Sequence, residues 1–321
     1  MDRARLVDVT DIVAAADRIA ASVRHTPLVS TDWGRPSHRL WLKPESLQVG
    51  GSFKIRGATN AVAQLTGDER ARGVITHSSG NHAQALARAA RAVGVQATIV
   101  MPRQAAEVKR LATEAAGGHV VLVDASERES ALAALQDETG AVFIPPYDSF
   151  EVIAGQGTVG LEIVTDLPDV ASVLVPVSGG GLISGVAAAV KGLRPGVPVI
   201  GVEPDLAGDL AEGFARGERV VWESARTVRT IADGLRVTGV GEHNWEHIKA
   251  LVDDVVTVSE EAIRSAMRAL LLQSHLVAEP SGAVAVAGFF EYADRIPPGP
   301  CVAVVSGGNA EPALLRELLS R

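Results

Sequence analysis

Gly50-Gly51-Ser52-Phe53-Lys54-Ile55-Arg56-Gly57-Ala58 sets one lysine between two large apolar residues, with small residues on both sides. Lysine is costly to bury, because leaving water disfavours the ammonium and lowers its pKa. A neutral amine is the form that adds to a carbonyl to make a Schiff base. Judged on composition alone, an exposed lysine at a helix start is the commoner arrangement. The wording of this stretch and of several others points instead to a lysine with a chemical task.

With Lys43-Pro44-Glu45-Ser46-Leu47-Gln48 just upstream, Ser52-Phe53-Lys54-Ile55-Arg56-Gly57-Ala58 resembles the cofactor-lysine segment of the fold-type II pyridoxal-phosphate enzymes. Within them it is most similar to the threonine/serine dehydratase and serine racemase family. The resemblance implies that Lys54, beside Phe53, carries pyridoxal 5'-phosphate as a Schiff base. It also implies an α/β fold of two domains, each a mostly parallel open sheet flanked by helices, as in the tryptophan synthase β-like proteins.

The bulk properties agree with a small-molecule enzyme. At 321 residues the chain is long enough for two modest domains, and 47% hydrophobic with 21% charged is an ordinary α/β composition. A net charge of −8 suggests neither a nucleic-acid nor an anionic-membrane partner. A single cysteine, Cys301, excludes an internal disulfide and fits a reducing compartment; in its apolar run it reads as a core residue. Met1-Asp2-Arg3-Ala4-Arg5 leads into polar residues rather than a signal peptide, and no run approaches a membrane span. A cytoplasmic protein is expected, and the resemblance implies a homodimer.

The alternation of elements is readable in two series. Between about residues 70 and 147, strands are predicted at Val74–Thr76, Ala97–Met101, Val120–Val123 and Val142–Ile144. Helices are predicted between them at Asn81–Val93, Val108–Ala116 and Arg128–Thr139. The second series has strands at Val173–Val177, Pro198–Val202 and Cys301–Val305, with helices near Gly157–Thr165, Ile183–Leu193, Glu260–Leu272 and Ala283–Phe290. Earlier in the chain, Thr10-Asp11 opens a helix with Ile12, Val13, Ala16 and Ile19 on one face, Leu40–Leu42 is a short strand, and Ile55–Leu65 is a helix. Such alternation calls for parallel sheets with helical crossovers. Residues 69–148 are expected to form a small domain. Residues 149–321 form a large cofactor-binding domain, which residues 1–68 join by the resemblance. The chain ends one helix after Ser306, so a C-terminal regulatory domain is not expected.

Four constellations carry chemistry. Ser178-Gly179-Gly180-Gly181-Leu182 leaves a strand and opens a helix, so consecutive backbone N–H groups and a helix dipole can converge on an anion. It resembles the family's tetraglycine phosphate loop, with Ser178 where glycine is usual. Thr76-His77-Ser78-Ser79-Gly80-Asn81-His82-Ala83-Gln84 also runs from strand to helix. Ser78 or Ser79 could be a plain helix cap, but hydroxyls, an amide and free N–H groups also suit a carboxylate. The resemblance makes this the loop that grips the substrate carboxylate, through Ser78, Ser79, Asn81 and His82, with Asn81 also beside the cofactor. Serine racemase-like sequences use the serine at Ser79 as the acid/base opposite the lysine; many threonine dehydratases carry alanine there. His77 and His82 lack partners at metal-ligand spacing. Ser306-Gly307-Gly308-Asn309 ends the last strand, and the resemblance places the Ser306 hydroxyl at the pyridine nitrogen. Gly234 and Glu279, in Ala232-Asp233-Gly234 and Ala278-Glu279-Pro280-Ser281-Gly282, line the cofactor in the same way.

Glu203, Ala207 and Asp209 follow a strand; two carboxylates and a carbonyl suit a hard cation such as Mg2+ or Ca2+, and the spacing matches serine racemase-like enzymes. Solvated loop acids are the competing reading. Gly155-Gln156-Gly157-Thr158-Val159-Gly160 matches a dinucleotide fingerprint in letters only, since Pro145-Pro146-Tyr147-Asp148 before it is a loop; helix-packing glycines explain it better. Asp253-Asp254 reads as a surface turn. Arg128 and Glu129 match a pair near the substrate of serine racemase, and Tyr147 stands near that enzyme's asparagine by the cofactor ring. The expected activity is a pyridoxal-phosphate ammonia-lyase (a dehydratase) acting on L-threonine or L-serine. Its alternatives are a serine or aspartate racemase, or a dehydratase of another β-hydroxy amino acid such as hydroxyaspartate.

Overall fold

Asp8 starts the first helix, ahead of the expected Thr10. Its carboxylate accepts from Asp11 N at 3.0 Å while that of Asp11 accepts from Asp8 N at 3.3 Å, a reciprocal cap on α1 (Val9–Ile19). Ile12, Ala15 and Ile19 are buried, and Val13, expected on that face, is 42% exposed. The computed structural model describes residues 5–320. Residues 1–4, most of the polar start read above as no signal peptide, lie outside the described residues, as does Arg321.

Two sheets follow. β1 (Val29–Arg35) folds back antiparallel on β2 (His38–Pro44), and α2 (Lys54–Ala63) and α3 (Gly67–Arg72) lead on to β3 (Val74–His77). Then come α4 (Asn81–Ala92), β4 (Ala97–Pro102), α5 (Glu107–Ala115), β5 (Gly118–Val123), α6 (Arg128–Thr139) and β6 (Val142–Phe143). The long α7 (Phe150–Asp166) leads to β7 (Ser172–Pro176), α8 (Gly181–Leu193), β8 (Val199–Pro204), α9 (Asp209–Arg216), α10 (Ser224–Thr227) and α11 (Glu242–Leu251). β9 (Asp254–Val258), α12 (Glu260–Gln273), α13 (Pro280–Tyr292), β10 (Cys301–Val305) and α14 (Pro312–Leu319) complete the chain. The six-stranded sheet has the order β1-β2-β10-β7-β8-β9, parallel except for β1; the four-stranded sheet, β5-β4-β3-β6, is wholly parallel. β7 and β10 are buried at every position, as strands covered on both faces must be.

Three expectations need correction. α7 begins at Phe150, well before Gly157, because Ser149 Oγ accepts from Val152 N at 3.2 Å and caps it. Asp253-Asp254 is exposed as expected but is not a turn: Asp254 opens β9, and Asp253 accepts from Val199 N at 2.7 Å and pairs with Lys191 at 2.8 Å. β1 and β9 were not expected at all. The glycines of α7 do serve helix packing. A Cβ on Gly155 would stand 2.6 Å from Gly57 Cα, and one on Gly160 2.8 Å from Val186 O.

The lysine helix is anchored by charge. Arg56 is fully buried and forks onto Glu45 (2.7 Å to each oxygen) and onto Glu162 (2.6 and 2.9 Å). Lys43, equally buried, reaches Thr26 O and Glu162 Oε2, each at 2.6 Å. These bonds tie the first turn of α2 to β2 and α7. Removing one partner of such a buried pair costs roughly 3–5 kcal/mol, because the other charge is left uncompensated. Lysine at position 56 would supply a point charge but not two planar forks. On its other side α2 joins an apolar cluster with α4, β3 and β4, through Ile55, Ala58 and Val62.

Candidate active site

Open α/β sheets bind ligands beyond the carboxyl ends of their strands, where the strand order reverses. In the six-stranded sheet the reversal lies between β10 and β7, the strands that run into Ser306 and Ser178. In the four-stranded sheet it lies between β3 and β6, which run into Ser78-Ser79 and Pro145-Pro146-Tyr147. Both reversal points therefore supply loops to one site.

Lys54 stands among these loops. Gly50 (φ 77°) and Gly51 (φ 76°) turn the chain through backbone conformations that only glycine adopts freely. Gly308 N then donates to Gly51 O at 2.9 Å and Phe53 N to Ser306 O at 3.1 Å, clipping the lysine segment to the end of β10. The Lys54 amine donates to Pro146 O at 2.7 Å and lies 5.0 Å from the Phe53 ring centroid. It has no carboxylate partner among the described residues. Burial lowers its pKa from 10.5 to about 8.

The glycine loop enters α8 with Gly180 at φ 94°. Asn244 Nδ2 and Gly241 N both donate to Gly179 O, at 2.9 and 3.0 Å, holding the loop's carbonyl to the outside. The first N–H groups of α8 have no acceptor inside the helix. The Ser178 hydroxyl is buried without a hydrogen-bond partner. An orphaned hydroxyl beside a helix N-terminus suits a phosphate. Tyr147 backs the loop: a Cβ on Gly179 would come within 2.3 Å of its ring.

Neither Ser78 nor Ser79 caps α4. The N-cap is Gly80, with no side-chain bond, and Gly80 N instead donates to Ser78 Oγ at 3.3 Å. The helix start stays open to an anion. Asn81 is committed to protein: its Nδ2 donates to Glu279 Oε1 at 2.6 Å, and its Oδ1 accepts from Asn309 Nδ2 at 2.7 Å. His82 is buried, its Nε2 at 3.0 Å from Ile144 O; burial and the Lys54 charge lower its pKa to about 3, so it is neutral and donates to that carbonyl. Glu279 N-caps α13, and burial with the nearby Asp233 raises its carboxyl to about 7. Ser306 Oγ lies 3.4 Å from Ser281 O, while Ser281 Oγ accepts from Gly234 N at 2.9 Å.

Glu203, Ala207 and Asp209 are all buried at the end of β8. Glu203 accepts from Ala211 N at 2.9 Å, so it also caps α9; burial and Asp209 push its carboxyl well above the usual range. Asp209 is raised to about 7, and its Oδ2 has no partner. Among the described residues no three His, Cys, Asp or Glu side chains converge as a metal site. Arg128, at the start of α6, lies in electrostatic reach of His77 and Tyr147, and its Nε is buried unpartnered. Pro146 O belongs to the site without any prior sign in the sequence, and Asn309, in the run Ser306-Gly307-Gly308-Asn309, is given no role of its own by the sequence.

Comparison with known proteins places these features in company. Residues 19–307 match the family profile described as pyridoxal-phosphate dependent enzyme. The chain is 46% identical over 285 residues to an L-threonine ammonia-lyase of Thermotoga maritima, covering 88% of this chain and 70% of that one. It is 39% identical over 321 residues to a serine racemase of Oryza sativa subsp. indica, covering 97% and 94%. The solved structure of maize serine racemase superposes with a TM-score of 0.93 at 38% identity, covering 98% of each chain.

Proposed function

The chain belongs to the pyridoxal-phosphate dependent enzymes, and on that premise we infer that it is a dehydratase releasing ammonia from L-threonine or L-serine. The observation that carries this reading is the Lys54 amine, low in pKa and free of any carboxylate, where loops from both strand-order reversals meet. The relative at 46% identity is a threonine ammonia-lyase.

The residues present fit the cofactor. The Ser178–Leu182 loop would hold its phosphate, Lys54 its carbonyl carbon, and Ser306 its ring nitrogen, with Phe53, Asn81, Gly234 and Glu279 around it. When bound, pyridoxal phosphate supplies an electron sink for the substrate's α-carbon. The open N-terminus of α4, with Ser78, Ser79, Asn81 and His82 around it, orients the substrate carboxylate. A neutral His82 adds no competing charge there. Lys54, neutral in a large share near its pKa, takes the α-proton. A hydroxyl at Ser306, unlike a carboxylate, does not stabilise a protonated ring. That disfavours long-lived carbanions and favours early departure of a β-hydroxyl. The released product then hydrolyses to a 2-oxo acid and ammonia. The test is ammonia and 2-oxo acid release by the cofactor-loaded protein from L-threonine, L-serine and 3-hydroxyaspartate. Release from either of the first two is expected. Interconversion of serine or aspartate enantiomers without ammonia would overturn the reading in favour of a racemase.

Three further assignments belong to the same reading. Residues 1–68 with 149–321 form the large domain and 69–148 the small one, which the strand membership of the two sheets supports. The protein works as a cytoplasmic homodimer. The resemblance supports the dimer, the lone buried Cys301 supports a reducing compartment, and sedimentation tests the assembly. Glu203, Asp209 and the Ala207 carbonyl hold Mg2+ or Ca2+. The support is two carboxyl groups buried together, one oxygen of them without a partner. Chelation should then lower the Tm, since a ligand bound only by the folded state stabilises it. Glu203→Gln should abolish that response. A Tm indifferent to chelator would leave the two as loop acids.

A further inference from the structure

Among the described residues, Lys109 is the one side chain of residues 67–143 that ion-pairs with the rest of the chain. It stands in the first turn of α5, a helix packed on β5. Its ammonium bonds Asp233, in the turn after α10, and lies 3.9 Å from Glu311, the N-cap of α14. Asp233 and Gly234 belong to one turn, Asp233–Leu235, and Gly234 N is bonded to Ser281 Oγ. Glu279 lies in electrostatic reach of both Asp233 and Lys109. Two carboxylates from the six-stranded side therefore meet a single ammonium from the four-stranded side, with a third, Glu279, in electrostatic reach, next to residues that line the site.

We propose that Lys109 is a positioning residue: by bonding Asp233, with Glu311 as a second, looser ion-pair partner, it latches α5 across the mouth of the site and holds the Asp233–Leu235 turn in place. The latch rests on the reading of this cleft as the active site. It acts on substrate retention rather than on the chemical step, because Lys109 touches none of the reacting groups. Its side chain is 22% exposed against 36% for Asp233, enough contact with water for salt to weaken it.

Three variants test it, all prepared with bound cofactor: Lys109→Met, Lys109→Arg and Asp233→Asn. Hydrogen exchange of residues 231–236 reads the latch whatever the reaction is. Exchange there should quicken in Lys109→Met and Asp233→Asn and stay near wild type in Lys109→Arg, with Tm little changed. In the activity arm, Lys109→Met should raise the KM for the amino acid about fivefold with kcat nearly kept, the factor expected of an ion pair worth about 1 kcal/mol. Wild-type KM should rise with ionic strength, and that of Lys109→Met should not. Unchanged exchange in the turn, or an arginine variant as loose as the methionine one, overturns the proposal. Altered exchange in a protein that turns over no amino acid keeps the latch and overturns the function instead.

Discussion

Lys54→Ala removes turnover, by at least about 10³-fold if the amine contributes as general bases commonly do. Borohydride reduction of the wild-type protein should place the cofactor on the peptide that contains Lys54, and the variant should give no labelled peptide. A label on another lysine, or ammonia release that survives in Lys54→Ala, would sink the assignment. The variant also makes a prediction about stability that is independent of activity. The folded-state pKa, about 8, lies below the ordinary 10.5. Between those two values the unfolded chain holds a proton that the folded one has lost, so folding stability contributed by this group rises with pH. Below about pH 8 the full penalty for burying the ammonium is present. In the cofactor-free protein, Lys54→Ala should therefore be the more stable form at pH 7. The gap should close as the pH climbs toward 10.5, as Tm measured across pH would show. The lost bond to Pro146 O works the other way, by about 1 kcal/mol, and does not vary with pH in this manner.

How much of this was legible in the sequence depended on what each feature announces. The parallel strands were readable because both faces are covered, which demands unbroken apolar runs such as Cys301–Val305. The edge strands of the six-stranded sheet were not. Val29–Arg35 and Asp254–Val258 mix polar and apolar residues, since one side of each pairs with nothing. The first turns of α7 were hidden by their glycines, which look like breakers and turn out to be contact points between helices. In the site, the lysine and the glycine loop stood out because their chemistry lies in side-chain identity and spacing. The partner of the lysine did not, because Pro146 contributes a backbone carbonyl, and any residue has one. Lys109 gave no sign either: its partner Asp233 lies 124 residues away, and a lone lysine on a helix is ordinarily a solvated one.

Ser79→Ala should separate two reactions that the same site could support. A base on one side of the substrate's α-carbon suffices for elimination, since the β-hydroxyl then leaves. Racemisation needs a second group on the other side to return the proton. Lys54 enters from the first turn of α2 and Ser79 from the loop after β3, so they approach on different elements. Among the described residues the Ser79 hydroxyl has no hydrogen-bond partner, and it neither caps α4 nor is spent elsewhere. A serine hydroxyl is a weak acid and base, and the neighbouring His82, whose Nε2 donates to Ile144 O, is held at a pKa of about 3, too weak a base to help. Elimination should therefore dominate, and Ser79→Ala should keep a substantial fraction of L-threonine or L-serine dehydration. The same variant should lose racemisation, and dehydration of the D-isomer with it, by at least about 10²-fold. Chiral chromatography run beside a 2-oxo acid assay decides the matter. Racemisation that survives in Ser79→Ala would rule out the opposite-side role. A wild type that racemises nothing would assign Ser79 to the carboxylate alone, and the site would be that of a plain dehydratase.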